Sequence, residues 1–151
     1  MTSVVALLGH PVGHSLSPRM QNAAFAARGL EWTYVALDVL PERLEEAVRG
    51  LAALGFAGAN VTAPHKAAVA RIVGSDLPSV NTLRGGEGYS TDAAILEGLQ
   101  LERPAIVGDG GAAAAFLHAL PQARVFSRKS QWPPDVGDAD GVVQATSVRD
   151  E

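Results

Sequence analysis

The chain has 151 residues, 47% of them hydrophobic, with 16 glycines, nine prolines and no cysteine. That suits one ordinary domain or two very small ones, at roughly 100–200 residues per domain, and it excludes a disulfide framework and a thiolate metal site. The net charge is −4 and basic residues do not cluster, so no nucleic-acid partner is expected. No apolar run approaches the ~18 residues of a membrane span, and no basic leader opens the chain, so a soluble, cytoplasmic protein is expected.

Val4 to Leu8 predicts a buried first strand, closed by Gly9 and Pro11. The loop from Gly9 to Pro18 follows, then a helix from about Pro18 to Arg28. Ser17 before Pro18 has the look of an N-cap with proline at the first helical position. Capping alone accounts for Ser17, whereas Ser15 is the better candidate for a ligand. A carboxylate beside the free N–H groups of that helix end would be well held. His14 adjoins Ser15, but adjacency is poor geometry for a catalytic triad and no G-x-S-x-G elbow surrounds it. Trp32 to Leu37 predicts a second strand. Pro41 to Leu54 predicts an amphipathic helix with Leu44, Ala47, Val48 and Leu51 on one side.

Phe56 to Val61 predicts a third strand, which runs into Asn60-Val61-Thr62-Ala63-Pro64-His65-Lys66 and then a helix over Ala67 to Val73. A strand-to-helix junction is where α/β proteins present side chains to ligands. Asn60 and Thr62 lie two apart, hence on one face of an extended backbone. Both donate and accept hydrogen bonds, which suits a polyhydroxylated ligand, and Lys66 brings an amine to the same place. A plain turn with a solvated lysine accounts for the heptapeptide equally well when it is taken alone. Ser79 to Leu83 predicts a short strand ending at Gly85-Gly86. Thr91 or Asp92 would cap a helix from Ala93 to Leu99, and Asn81 reads equally well as a turn amide.

Pro104 to Val107 predicts a buried strand, followed by Gly108-Asp109-Gly110-Gly111-Ala112 and a helix start. Glycines in that place let a pyrophosphate approach the backbone at a helix N-terminus. Ala123 to Ser127 predicts the next strand. Ser127, Arg128 and Lys129 at its end fall where a dinucleotide fold meets the adenosine ribose, and two cations there favour a 2′-phosphate, hence NADP. Asp109 in the turn is unfavourable beside phosphates. Gly141 to Thr146 predicts a last strand. Strands alternating with helices argue for an α/β fold with parallel pairing. The four histidines are scattered, so no metal site is expected.

Gly9 to Pro18, Asn60 to Lys66, Asn81-Thr82, Thr91-Asp92 and Gly108 to Gly111 together resemble the shikimate dehydrogenase family, including its quinate-using relatives. The resemblance covers nearly the whole chain. It implies an NADP-dependent oxidoreductase that reduces 3-dehydroshikimate to shikimate in aromatic amino-acid biosynthesis. It implies Ser15 and Ser17 at the substrate carboxylate, Asn60, Thr62 and Asn81 at ring hydroxyls, and Lys66 with Asp92 as a catalytic pair. Gly108, Gly110, Gly111, Ala112, Ser127, Arg128, Lys129 and Thr146 would contact the cofactor. Expected is a parallel-rich α/β substrate lobe, residues 1–100, followed by a reduced, half doubly wound Rossmann-like lobe, residues 101–151. A homodimer is one option for assembly.

Family members usually exceed 200 residues and carry six strands in the cofactor domain, whereas three fit between Pro104 and Glu151 here. Gln21, Ser90, Asp109, Ser127 and Gln144 depart from the family pattern. A shikimate-binding paralogue with impaired cofactor binding is the alternative reading, and a fragment that needs a partner chain is a third.

Overall fold

The computed structural model describes residues 2–146, and the described chain falls into two compact units, the first ending at Ser90 and the second starting at Thr91. Met1 and the last five residues of the expected 101–151 lobe lie outside the described part.

In the first unit, β1 (Ser3–Gly9) pairs in parallel with β2 (Trp32–Asp38) on one side and β3 (Gly58–Val61) on the other. The chain leaves β1 toward β2 and then crosses back to β3, so strand order reverses at β1. That reversal is the topological switch point beside which open α/β sheets form crevices, at the carboxyl ends of their strands. Two faces follow from the alternation. Ala6, Leu8, Ala59 and Val61 face a core built with α2 (Leu44–Ala53) and α3 (Lys66–Ile72), where Leu44, Leu51 and Val69 are buried. Leu7 and Tyr34 face the other way, with Phe25 of α1 (Ser17–Ala27) packed against them.

Helix α1 grips the sheet through one side chain. The Asn22 amide donates to the Tyr34 carbonyl at 2.9 Å and accepts from the Tyr34 N–H at 2.8 Å. It thereby satisfies backbone groups on the outer rim of β2, the edge strand. Where Pro41 to Leu54 predicts one helix, a 3-10 turn (Pro41–Arg43) leads into α2.

The sheet ends in an antiparallel hairpin of β4 (Thr82–Arg84) and β5 (Glu87–Tyr89), giving the order β2-β1-β3-β4-β5. Parallel pairing therefore stops at β3. Gly85 and Gly86 both take positive φ, 59° and 87°, as a two-residue hairpin turn demands. The predicted strand from Ser79 is displaced to Thr82. Ser79 and Val80 are instead buried, and the Val80 N–H bonds the Lys66 carbonyl at 3.0 Å.

In the second unit, β6 (Pro104–Val107) is the central strand, flanked in parallel by β7 (Arg124–Phe126) and β8 (Gly141–Gln144). Strand order again reverses at the first strand. Helix α4 (Gly111–Ala119) packs Ala113 and Phe116 on Ile106. The predicted helix over 93–99 is a 3-10 turn, Asp92–Leu96, because the backbone turns extended at Glu97. Its Ala93 and Leu96 pack on the same cluster. Among the described residues, no helix is long and apolar enough to cross a membrane.

Asn22→Ala removes both bonds to the Tyr34 backbone and should cost about 1–3 kcal/mol, at roughly 0.5–1.5 per hydrogen bond. Urea unfolding followed by Trp32 fluorescence in a Trp132→Phe background measures it; an unchanged midpoint would mean that water replaces the amide without loss.

Candidate functional site

In the first unit, the exits of β1 and β3 are tied together by backbone. Thr62 N–H bonds Leu8 O at 2.8 Å, His10 N–H bonds Ala63 O at 3.1 Å, and Val39 N–H bonds Gly9 O at 3.0 Å. The loops are close enough that a Cβ on Gly9 would stand 2.5 Å from the Thr62 methyl. Two histidines extend the tie. His65, buried, meets the Val39 carbonyl through Nε2 at 2.7 Å, and half-exposed His10 meets the Asp38 carboxylate at 2.6 Å. Neither partner could be read from the motif, because Asp38 ends β2 and Val39 follows it, and only strand order brings them near.

Asn60 and Thr62 sit half-buried, alternating with buried Ala59 and Val61, so the period-two reading of their shared face holds. The Asn60 carbonyl oxygen accepts the Tyr34 hydroxyl at 2.8 Å, and its amide reaches Thr82 Oγ1 at 3.4 Å. The Thr82 hydroxyl in turn donates to the side-chain Oδ1 of Asn81 at 3.0 Å. A chain Tyr34–Asn60–Thr82–Asn81 therefore aims two of the expected amides. These bonds use two of the four hydrogen-bonding positions of the Asn60 amide. Asn81 is also held by backbone, its carbonyl accepting Val61 N–H at 2.8 Å and its N–H donating to Tyr89 O at 3.0 Å. Lys66 opens α3, half-buried, with its carbonyl taken by Val80. Sequence alone does not single out Tyr34, although it shares a strand face with the polar pair across β1, and it names Thr82 only within the Asn81-Thr82 motif, without a role.

Ser17 does not take the expected cap. Helix α1 starts one residue early, so Leu16 takes the cap position and Ser17 lies inside the first turn. The Ser15 hydroxyl, not Ser17, accepts a backbone bond there, from the Ser17 N–H at 3.2 Å. Both are half-buried on the loop that leaves β1.

On the α1 side of the sheet a groove of about 570 Å³ runs over the entry halves of the strands, from Val5, Trp32 and Gly58 to Asn60 and Thr82; of the residues expected at the substrate, Asn60 lines it, and Ser15, Ser17, Thr62, Lys66 and Asn81 do not. Burial of Tyr34 pushes its phenol above the ordinary value of 10.0.

In the second unit, Gly108 N–H bonds Phe126 O and Ala145 N–H bonds Val107 O, both at 2.8 Å. Gly108 has φ 139°, and a Cβ there would meet Ala145 O at 2.8 Å. Only glycine lets the chain turn here while residue 145 approaches. Gly110 caps α4 with extended backbone, exposed, with open space where a Cβ would stand. Gly111 and Ala112 open the helix. That exposed glycine turn at a helix N-terminus fits a pyrophosphate. Thr146 follows β8, exposed, one residue beyond Ala145. Ser127 is buried in a turn in which its N–H bonds Ser130 Oγ at 3.1 Å and the Lys129 N–H bonds its hydroxyl at 3.2 Å. Arg128 lies over the Trp132 ring at 5.6 Å, and Lys129 pairs with Asp109 at 2.8 Å. Asp92 is half-buried at the start of the 3-10 turn. Among the described residues, no three His, Cys, Asp or Glu side chains could hold a metal ion.

Residues 7–82 match the model of the shikimate dehydrogenase substrate binding domain. The chain is 46% identical to the shikimate dehydrogenase (NADP(+)) of Anaeromyxobacter dehalogenans strain 2CP-C, over 86% of this chain and 54% of that protein. Among solved structures, the shikimate dehydrogenase of Thermotoga maritima superposes with a TM-score of 0.77 at 29% identity, covering 96% of this chain and 69% of that one. The Thermus thermophilus shikimate 5-dehydrogenase, solved with NADP(H) and shikimate, gives 0.68 at 32% identity, covering 83% and 56%. The chain thus spans about half the length of the curated relative it matches.

Tyr34→Phe should cost about 0.5–1.5 kcal/mol near neutrality through the lost bond to Asn60. Because the folded-state value is raised, the stability from burying the neutral phenol is complete below pH 10 and is lost as pH climbs through that value. The gap between wild type and variant in thermal melts should therefore shrink above pH 10; a constant gap would refute the burial effect.

Proposed function

The chain belongs to the shikimate dehydrogenase family, and from that premise we propose that it acts as an NADP-dependent oxidoreductase reducing 3-dehydroshikimate to shikimate. Residues 1–100 would bind and turn over substrate and residues 101–151 would bind NADP. The observation that carries this reading is the set of polar side chains at the β1 and β3 exits, with Asn60 and Asn81 aimed through Tyr34 and Thr82. That arrangement presents fixed amides and hydroxyls to a small polyhydroxylated ring.

Ser15 and Ser17 at the start of α1 would take the substrate carboxylate, favoured there by the helix dipole. Asn60, Thr62 and Asn81 would take ring hydroxyls. NADPH, when bound, supplies the hydride. Hydride arrival at the ketone carbon leaves a developing alkoxide that needs a cation and a proton. Lys66 supplies both through its ammonium, and Asp92 is the carboxylate assigned to orient the reacting hydroxyl. Gly108, Gly110, Gly111 and Ala112 would lie along the pyrophosphate, with Thr146 beside β8. Ser127, Arg128 and Lys129 would meet the adenosine ribose and its phosphate.

Separate calorimetric titrations with shikimate and NADPH test the reading. Both should bind; shikimate binding without NADPH binding would retire the dehydrogenase assignment in favour of a binding protein. Lys66→Ala should lower kcat by about two to four decades with little change in shikimate KM, as for a lost acid–base group. Equal losses in kcat and affinity would make the lysine a binding residue only. Arg128→Ala should weaken NADPH while sparing NADH, and parallel weakening of the two would refute the 2′-phosphate role.

A further inference from the structure

Two cations follow β7, yet they are not equivalent. The Ser127–Ser130 turn, closed by Ser130 N–H to Ser127 O at 3.0 Å and Ser127 N–H to Ser130 Oγ at 3.1 Å, sends their side chains to different partners. Arg128 stacks on Trp132 by one face of its guanidinium, which leaves its edge N–H groups to form hydrogen bonds. Lys129 has its ammonium 2.8 Å from Asp109 Oδ2. Asp109 belongs to the glycine turn after β6, and the pairing of β6 with β7 brings the two together across about twenty residues of sequence.

We propose that Asp109 is a specificity-determining residue that occupies Lys129 as a built-in counter-ion and so lowers the preference of this site for a 2′-phosphorylated adenosine. The inference rests on the reading of the second unit as the NADP site. Its basis is that a lysine ammonium is a compact point charge which one carboxylate can neutralise. A 2′-phosphate brought to the end of β7 has to displace that carboxylate or approach it at like-charge repulsion. Asp109 also raises the Lys129 pKa, by hydrogen bond and by charge, as an engaged ammonium requires. Arg128 is left as the cation that carries phosphate recognition. The pair is exposed, the lysine side chain by 84% and the aspartate by 46%, so it is breakable and salt-sensitive rather than structural.

The test uses the full chain with adenosine 2′,5′-bisphosphate and 5′-AMP as probes. They differ in the 2′-phosphate and contain no pyrophosphate. NADP+ is titrated alongside. Asp109→Asn should tighten the bisphosphate by about three- to tenfold at low ionic strength and leave 5′-AMP within about twofold, with the gain fading as salt is added. Lys129→Met should weaken the bisphosphate less in the wild-type background than in the Asp109→Asn background, where it should remove the whole gain. This non-additivity is the signature of a coupled pair. Equal tightening of both probes would mean that Asp109 acts as a general negative charge, and it would overturn the proposal. Weaker bisphosphate binding in Asp109→Asn would also overturn it, because Asp109 would then be positioning Lys129 for the phosphate. NADP+ binding with unaltered discrimination sinks this inference alone. If no variant binds NADP+, the cofactor reading fails and this inference with it.

Discussion

Three backbone hydrogen bonds at the end of β1 govern the first unit: Thr62 to Leu8, His10 to Ala63, and Val39 to Gly9. They exist because a buried central strand must pass its last donors and acceptors to its neighbours. In doing so they draw the loops after β1, β2 and β3 to one place. Of the polar residues assigned to the substrate in this unit, Ser15 and Thr62 lie on those loops, Ser17 and Lys66 open the helices that follow them, and Asn60 and Asn81 lie in β3 and just before β4. The site is thus a by-product of satisfying the end of a sheet, with side chains such as His65 reinforcing what the backbone begins.

The second unit repeats the device with different chemistry. There β6 is central, Gly108 bonds Phe126 of β7, and Ala145 after β8 bonds Val107. Both units reverse strand order at their first strand, and both place a glycine at the exit with a neighbour too near for a side chain. In the first unit the resulting edge is furnished with amides and hydroxyls. In the second it is furnished with a glycine turn at a helix N-terminus and with cations. That division matches a hydroxylated ligand in one unit and a phosphorylated one in the other, as the proposed reaction requires.

Much of this is legible in the residues alone, and the parts that are not share a cause. Asn60 and Thr62 can be placed on one face because period two is a local property of a strand. The glycine turn before α4 is legible for the same reason, since its signal is contiguous. The start of α1 is placed one residue late, so that Ser17, read as a cap, falls inside the first turn, because sequence resolves boundaries poorly. The β4–β5 hairpin is missed although Gly85-Gly86 announces it, because the flanking strands are three residues each and carry little pattern. Tyr34 to Asn60, His65 to Val39 and Asp109 to Lys129 are beyond reach, since each depends on which strands become neighbours.

The Asn22 amide mimics one residue of an additional strand on the outer rim of β2. A foreign β-segment cannot add there at Tyr34 without evicting it, so that border of the sheet is closed to growth. The opposite border, β5, is short, and it ends in Glu87 and Tyr89 around a glycine, a poor template for recruiting another chain. The sheet is therefore guarded at both rims against accretion, by an amide clasp on one side and by brevity on the other.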